Sequence, residues 1–246
     1  MGANLQTPLR AIFFDIDDTL FSTTSFVERA RENAIQAMLD RGLNAEKTDL
    51  LLELKSVVKE FGSNDTRHYN RLLQRLPQEA TRGCSTVLLV MAGVMAYHET
   101  KWKELQLRQE AISLLQDLSQ TNLRLGVITA GLRAKQMEKI LRLRIDSWVD
   151  PNLIFITDDM GIAKSNSKLY LECAARAGIP PEFCLHVGDH PFRDMDTAQQ
   201  AGFHTIWHRG SGKYAGLREP RPADQVVTSL EGVRRILEKE YGLSLG

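Results

Sequence analysis

Three carboxylates, Asp15, Asp17 and Asp18, crowd together in "AIFFDIDDTLF" directly after four apolar residues. Further along, Thr129 ends the run "RLGVIT", Lys164 stands in "GIAKSNSKLY", and Asp189 and Asp194 follow "CLHVG". In an open α/β sheet, ligands bind where the strands end at their carboxyl edge. Asp15, Asp17, Asp189 and Asp194 would therefore converge there with Thr129 and Lys164. Carboxylates packed so closely repel one another, and some stay protonated unless a cation joins them. A hard divalent ion suits oxygen ligands, and Mg²⁺ in particular leaves positions for water and a substrate phosphate. Lys164 would neutralise one phosphate oxygen and the Thr129 hydroxyl would donate to another, which makes a site for phosphoryl transfer. Asp15 is then placed as nucleophile, forming an aspartyl-phosphate. Asp17, two residues on, would protonate the leaving oxygen and later deprotonate the attacking water.

The elements that must position these groups follow two patterns. "AIFF" (11–14), "RLGVIT" (124–129), "LIFIT" (153–157), "CLHVG" (184–188) and "HTIW" (204–207) are short and mostly apolar, as strands covered on both faces should be. Helical stretches at Lys135 to Leu143, Ser167 to Ala177 and Met195 to Ala201 lie between them. Strand and helix in alternation predict a Rossmann-like α/β core with a parallel sheet. Between the first two strands the chain reads instead as helix after helix. Phe26, Ala30, Ala34 and Met38 form one stripe; Leu51, Leu54, Val58 and Phe61 a second; Tyr69, Leu72, Leu73 and Leu76 a third; Val87 to Met95 is a fourth apolar run. The expected division is a core of residues 1–21 plus 107–246, with an all-helical cap domain, 22–106, inserted after the first strand. Hinges are expected at Ser22 to Ser25 and Lys101 to Gln106. Such a lid would exclude bulk water around a small phosphorylated metabolite.

The motifs resemble those of the haloacid dehalogenase-like (HAD) hydrolase superfamily. "DIDDTL" is similar to its D-x-D-x-T signature, "VITAG" to its second motif, and "HVGDHPFRDMDTAQQAG" to its fourth, with Lys164 at the place of the third-motif lysine. The helical insertion resembles the cap that follows motif one in one subfamily. "ARENAIQAM", "EFGSND" and "YHETKW" resemble an archaeal branch of phosphatases. The resemblance implies Asp15 as nucleophile and metal ligand, and Asp17 as acid/base with its main-chain carbonyl on Mg²⁺. It also implies Asp189 in the metal site, and Asp194 as ligand or supporting partner. An Asp at position 17 favours phosphate ester hydrolysis over dehalogenation. Four positions depart from the pattern: Ala130 stands where Asn is usual and keeps only its main-chain N–H for phosphate, Ser165 replaces a frequent Pro and Ser167 a second one, and His190 stands where Ser is common.

Taken alone, acids in a turn are more often caps than catalysts. Asp18, Asp158, Asp159 and Asp196 are read that way, and His204 and His208 as structural. Trp102, Trp148 and Trp207 read as core or domain-junction aromatics, and Cys84, Cys173 and Cys184 as buried small hydrophobes. The 31 basic and 31 acidic residues cancel, leaving no global field for nucleic acid or membrane. "MGANLQTPLR" has no signal-like apolar region, and Gln6 weakens a myristoylation reading of Gly2. A cytoplasmic enzyme, monomer or homodimer, is expected. The expected activity is a Mg²⁺-dependent phosphatase for small phosphomonoesters. A phosphomutase acting on a sugar phosphate, and a non-catalytic phosphate- or partner-binding regulator on the same scaffold, stand as alternatives.

Overall fold

The computed structural model describes residues 8–210 and 212–246. The readings of Gly2 and Gln6 lie outside the described residues. Two compact units are present: the described residues up to Thr24 together with Leu105–Gly246, and Ser25–Glu104. Among the described residues, no helix is long and apolar enough to cross a membrane.

The first unit is built on six parallel strands: β1 (Ala11–Phe14), β2 (Arg124–Thr129), β3 (Ile154–Ile156), β4 (Cys184–Gly188), β5 (His204–His208) and β6 (Gln225–Val227), in the order β3-β2-β1-β4-β5-β6. After β3 the chain returns to the other side of β1. The crevice between the carboxyl ends of β1 and β4 is therefore the topological switch point, where such sheets bind ligands. All four residues of β1 are buried because the strand is central and covered on both faces. Phe13 packs between Phe155 and Phe203, with ring centroids 6.0 and 5.9 Å away. Opposite Phe13 in the ladder stands Gly126, where a Cβ would come within 2.7 Å of both the Phe13 ring and the Leu153 carbonyl. The ring thus occupies the space a side chain at 126 would need.

Helices cover this sheet: α5 (Gln109–Ser119), α6 (Arg133–Arg142), α7 (Thr157–Met160), α8 (Lys168–Ala177), α9 (Thr197–Gln200) and α10 (Leu230–Tyr241). The expected helix from Met195 to Ala201 is different: a π-helical turn, Pro191–Asp196, precedes a short α9. The stretches forming α5, β6 and α10 carry no expected element in the sequence reading. In α10, Leu230, Val233, Leu237 and Tyr241 are buried at helical spacing, and Ser229 accepts the Gly232 N–H at 3.2 Å as its N-cap.

The second unit contains most of α1 (Thr23–Leu39), with α2 (Lys47–Phe61), α3 (His68–Arg75) and α4 (Thr86–Glu104). Its core gathers Ile35, Met38, Leu50, Leu54, Leu72, Leu73 and Leu89. In α2 the buried face is Leu50, Leu54 and Val57, one residue off the stripe expected at Leu51, Leu54, Val58 and Phe61. The apolar arc there is wide enough for either face, and packing selects one. Phe61 lies outside it, with the Arg71 guanidinium 3.7 Å above its ring. Trp102 is 71% exposed and is not a core residue, and Cys84 is only half-buried; Trp207, Cys173 and Cys184 are buried as expected.

Candidate active site

Asp15 follows β1 immediately, and its N–H continues the ladder by donating to the Val187 carbonyl at 2.9 Å. Beyond it the chain turns tightly, with the Ile16 carbonyl accepting from the N–H groups of Leu20 and Phe21, both at 3.1 Å. Asp18 takes a left-handed φ of 56°, a conformation that Asp tolerates better than most side chains. Its carboxylate accepts from the Thr24 N–H at 2.8 Å and the Thr24 hydroxyl at 2.5 Å, fixing the start of α1. Asp18 is thus the brace of the loop.

The third-motif lysine lies deep in the crevice, with only 4% of its surface exposed. Lys164 Nζ donates to Asp15 Oδ1 at 2.7 Å and to Asp194 Oδ1 at 2.5 Å. Asp15, Asp189 and Asp194 are all buried, and one carboxylate oxygen from each lies within 4.8 Å of the others. The Asp189 carbonyl accepts the Trp207 indole N–H at 2.8 Å, fixing the backbone after β4. The π-helical turn carries Asp194 back under the end of β4, where its Oδ2 accepts the His190 N–H at 3.0 Å. Gly188 makes this approach possible, since a Cβ there would lie 2.5 Å from Asp194 Cγ.

Crowding shapes the ionisation of the cluster. Asp15 is pushed up to about 7, by burial first; Lys164 opposes the shift and the charges of Asp194 and Asp17 add to it. Asp189 is pushed up to about 9 by burial and by Asp15 and Asp194. Asp194 is held well below the usual carboxylate range, because Lys164 and His186 outweigh its burial. Lys164 stays protonated above its ordinary range, as its two carboxylate partners outweigh burial.

Thr129 ends β2 with its hydroxyl buried and without a hydrogen-bond partner among the described residues. An orphaned hydroxyl at a strand's carboxyl end is suited to a ligand oxygen. Ala130 is exposed, and its carbonyl accepts from Gln136 Nε2 at 3.0 Å. Asp17 does not join the three-carboxylate cluster with its side chain. Its Oδ1 accepts from Lys139 Nζ at 2.5 Å and from the Thr23 hydroxyl, and its Oδ2 from Gln136 Nε2 at 3.1 Å. Burial alone would raise Asp17, but Lys139 beside it and these hydrogen bonds hold it below the usual range.

Four residues of this neighbourhood carry no expected role in the sequence reading: Gln136, Lys139, Tyr170 and His186. His186 Nε2 lies 3.2 Å from Asp194 Oδ1, and the Tyr170 hydroxyl donates to the Arg193 carbonyl at 2.7 Å. Gln136 and Lys139 stand three apart on α6, a spacing that puts both on one helix face. Only that spacing hints at them. His190 caps the π-helical turn, its Nδ1 accepting from the Phe192 N–H at 3.2 Å. Asp158, Asp159 and Asp196 make local contacts to Arg133 and Gln200.

Comparison with known proteins gives the same direction. A model of the haloacid dehalogenase-like hydrolases matches residues 9–202. The chain is 39% identical to a glyceraldehyde 3-phosphate phosphatase of Methanopyrus kandleri over 89% of this chain and 91% of that one. It is 36% identical to the protein of the same name from Pyrococcus furiosus, over 95% of each. Among solved structures, an HAD phosphatase from Thermococcus onnurineus superposes with a TM-score of 0.64 at 22% identity, covering 95% of this chain and all of that one.

Proposed function

Because the chain belongs to the haloacid dehalogenase-like hydrolases and is a phosphatase among them, we propose that it hydrolyses a small phosphomonoester of the triose phosphate class through an aspartyl-phosphate on Asp15, with Mg²⁺ bound. The observation that carries this reading is the placement of Lys164 against both Asp15 and Asp194, beside Asp189, at the switch point of the sheet.

The donor set fits a hard divalent cation. Three buried carboxylates within 4.8 Å of one another share one lysine, and burial together with such crowding pushes Asp15 and Asp189 up toward their protonated forms in the absence of a further positive charge. Asp15, Asp189 and the Asp17 carbonyl would hold Mg²⁺, with Asp194 as ligand or as the partner that orients Lys164. When bound, the ion supplies charge neutralisation for the phosphoryl group and for the nucleophile's approach.

The chain's own groups do the rest. Lys164 and the Thr129 hydroxyl, with the Ala130 N–H, hold the phosphoryl oxygens in place. Asp17 takes up a proton as the ester binds; an Asp15 oxygen then bonds to phosphorus as the ester bond breaks, and Asp17 delivers that proton to the departing oxygen. Asp17 then takes a proton from water as the water oxygen bonds to phosphorus and the bond to Asp15 breaks. Ester and water become alcohol and phosphate, and both aspartates are restored.

The names of the curated relatives favour a triose phosphate. We place the enzyme in the cytoplasm, as monomer or homodimer. The test is phosphate release from glyceraldehyde 3-phosphate and a panel of other phosphomonoesters, with Mg²⁺ and with EDTA. Metal-dependent release, fastest with triose phosphates, supports the proposal. No release from any ester, with Mg²⁺ bound, overturns it in favour of a regulatory scaffold.

A further inference from the structure

Both oxygens of the Asp17 carboxylate are held, and held unequally. Oδ1 accepts from a lysine ammonium, Lys139 Nζ at 2.5 Å, and from the Thr23 hydroxyl. Oδ2 accepts one bond from a neutral amide, Gln136 Nε2 at 3.1 Å. The lysine ammonium adds ion-pair attraction to its hydrogen bond, and Oδ1 holds two donors against the single amide on Oδ2. Oδ1 is therefore the anchored oxygen and Oδ2 the one that can exchange its partner.

The anchor is itself built into the scaffold. Lys139 and Gln136 project from one face of α6, and Gln136 is buried. The same amide nitrogen that reaches Asp17 donates to the Ala130 carbonyl at 3.0 Å. Gly131, with φ 140°, leaves the room, because a Cβ there would stand 2.8 Å from that nitrogen. The bend after β2 thus admits the Gln136 amide behind Asp17. A carboxylate at a strand edge without such partners would sample several rotamers, and a misplacement of about 1 Å in a reacting group can cost about 10²-fold in rate.

We infer that Lys139 and Gln136 are positioning residues for the acid/base Asp17, Lys139 fixing Oδ1 so that Oδ2 is the oxygen through which the proton is given and taken. This inference rests on the phosphatase reading. As the ester binds, Oδ2 takes up a proton in place of its bond from Gln136; in the first half-reaction that proton leaves Oδ2 for the ester oxygen as the bond from that oxygen to phosphorus breaks and the bond to Asp15 forms. In the second, Oδ2 receives a proton from water as the bond between phosphorus and Asp15 breaks. Gln136 yields Oδ2 to the reacting oxygen and takes it back when the site empties, while Oδ1 stays on Lys139 throughout.

Leaving-group dependence separates this role from a merely structural one. An aryl ester such as 4-nitrophenyl phosphate expels its phenolate without needing a proton, whereas an alkyl ester needs one. Lys139→Met is expected to lower kcat on an alkyl phosphomonoester by about 10²-fold with KM within about three-fold, in line with the usual size of general acid catalysis. On the aryl ester, phosphorylation of Asp15 is spared while attack by water is slowed. The variant should therefore show a burst of nitrophenol equal to the enzyme concentration, followed by slow turnover. Lys139→Arg should restore much of the alkyl activity, and Gln136→Leu should show the same pattern more weakly.

If Lys139→Met does not fold, Lys139→Gln and Gln136→Leu carry the same comparison. A folded Lys139→Met that loses equally on both ester types and shows no burst overturns the inference. A wild-type enzyme that releases phosphate from neither type overturns the phosphatase reading beneath it, a different outcome from the first.

Discussion

Lys164 and Asp194 meet at 2.5 Å across 30 residues of sequence, and both are almost wholly buried. The lysine reaches Asp15 at the same time, so one ammonium ties the end of β1 to the turn that follows β4. A buried charge with two carboxylate partners is costly to break, because each partner left behind remains desolvated.

Lys164→Met should therefore damage both activity and the fold. Phosphatase activity should fall by about 10²-fold or more, as when one transition-state donor is removed. Metal-free stability should drop by about 3–5 kcal/mol, the usual cost of removing one partner of a buried pair. Denaturant unfolding in EDTA beside steady-state kinetics in Mg²⁺ checks both. A variant as stable and as active as wild type would refute the structural role assigned to this pair.

Thr129→Val should behave in the opposite way. The Thr129 hydroxyl is buried without a partner among the described residues, so removing it forfeits no protein hydrogen bond. Stability should stay within about 1 kcal/mol of wild type or rise slightly. If the hydroxyl serves the phosphate, kcat/KM should still fall by about 10-fold or more, the worth of one hydrogen bond to a charged group. Thermal unfolding and kinetics on one preparation decide it, and unchanged kinetics would remove Thr129 from the site.

The stability of the metal-free protein should decline as pH rises. Asp15 and Asp189 have folded values of about 7 and about 9, raised from an ordinary 3.8. The folded chain therefore keeps protons that the unfolded chain has released, and the slope of stability with pH is negative across that window. This stability is fully present below the ordinary carboxylate value and lost as pH passes through the raised ones. Asp194 acts in the opposite sense, but its loss comes only as pH falls below the ordinary value. Mg²⁺ binds the ionised carboxylates, so the rise in melting temperature on adding it should be larger near pH 8.5 than near pH 6, both roughly chosen to bracket the two groups. Calorimetric scans in EDTA and in Mg²⁺ test this. A metal-free melting temperature that climbs from pH 6 to pH 8.5 would contradict it.

Gly188→Ala should injure the site through the backbone. The added methyl would lie 2.5 Å from Asp194 Cγ, beneath the carboxylate that orients Lys164. A loss of about 1–3 kcal/mol is expected from overpacking, together with weakened catalysis. Denaturant midpoints and kcat measure the two effects, and a neutral substitution would show that Asp194 can move without consequence.

Much of this arrangement is legible in the residues alone, and the exceptions have physical reasons. The strands β1, β2 and β4 stand out because central parallel strands are apolar on both faces, and Asp15, Asp189 and Thr129 sit directly at their ends. Gln136 and Lys139 do not stand out, since polar residues on a surface helix usually face water; only the fold turns that face of α6 toward Asp17. His186 is hidden for the converse reason: inside a buried strand it looks structural until Asp194 is brought back beneath it. The π-helical turn from Pro191 to Asp196 has no periodic signature of its own, so its neighbourhood reads as an ordinary helix. β6, with three residues, is too short for alternation to be recognised, whereas the Ser229 cap and the spacing of Leu230, Val233 and Leu237 are usable signals for α10.

Nucleophilic catalysis by Asp15 is tested most directly by trapping the covalent intermediate. The enzyme is mixed with a triose phosphate or an aryl phosphate in Mg²⁺, quenched in acid during turnover, digested and mapped by mass spectrometry. The expected result is a hydroxylamine-labile phosphoryl group on the peptide containing Asp15, absent in Asp15→Asn, which should also release no phosphate. Turnover that proceeds at the wild-type rate in Asp15→Asn, or a phosphoryl group found only on another residue, would contradict the mechanism.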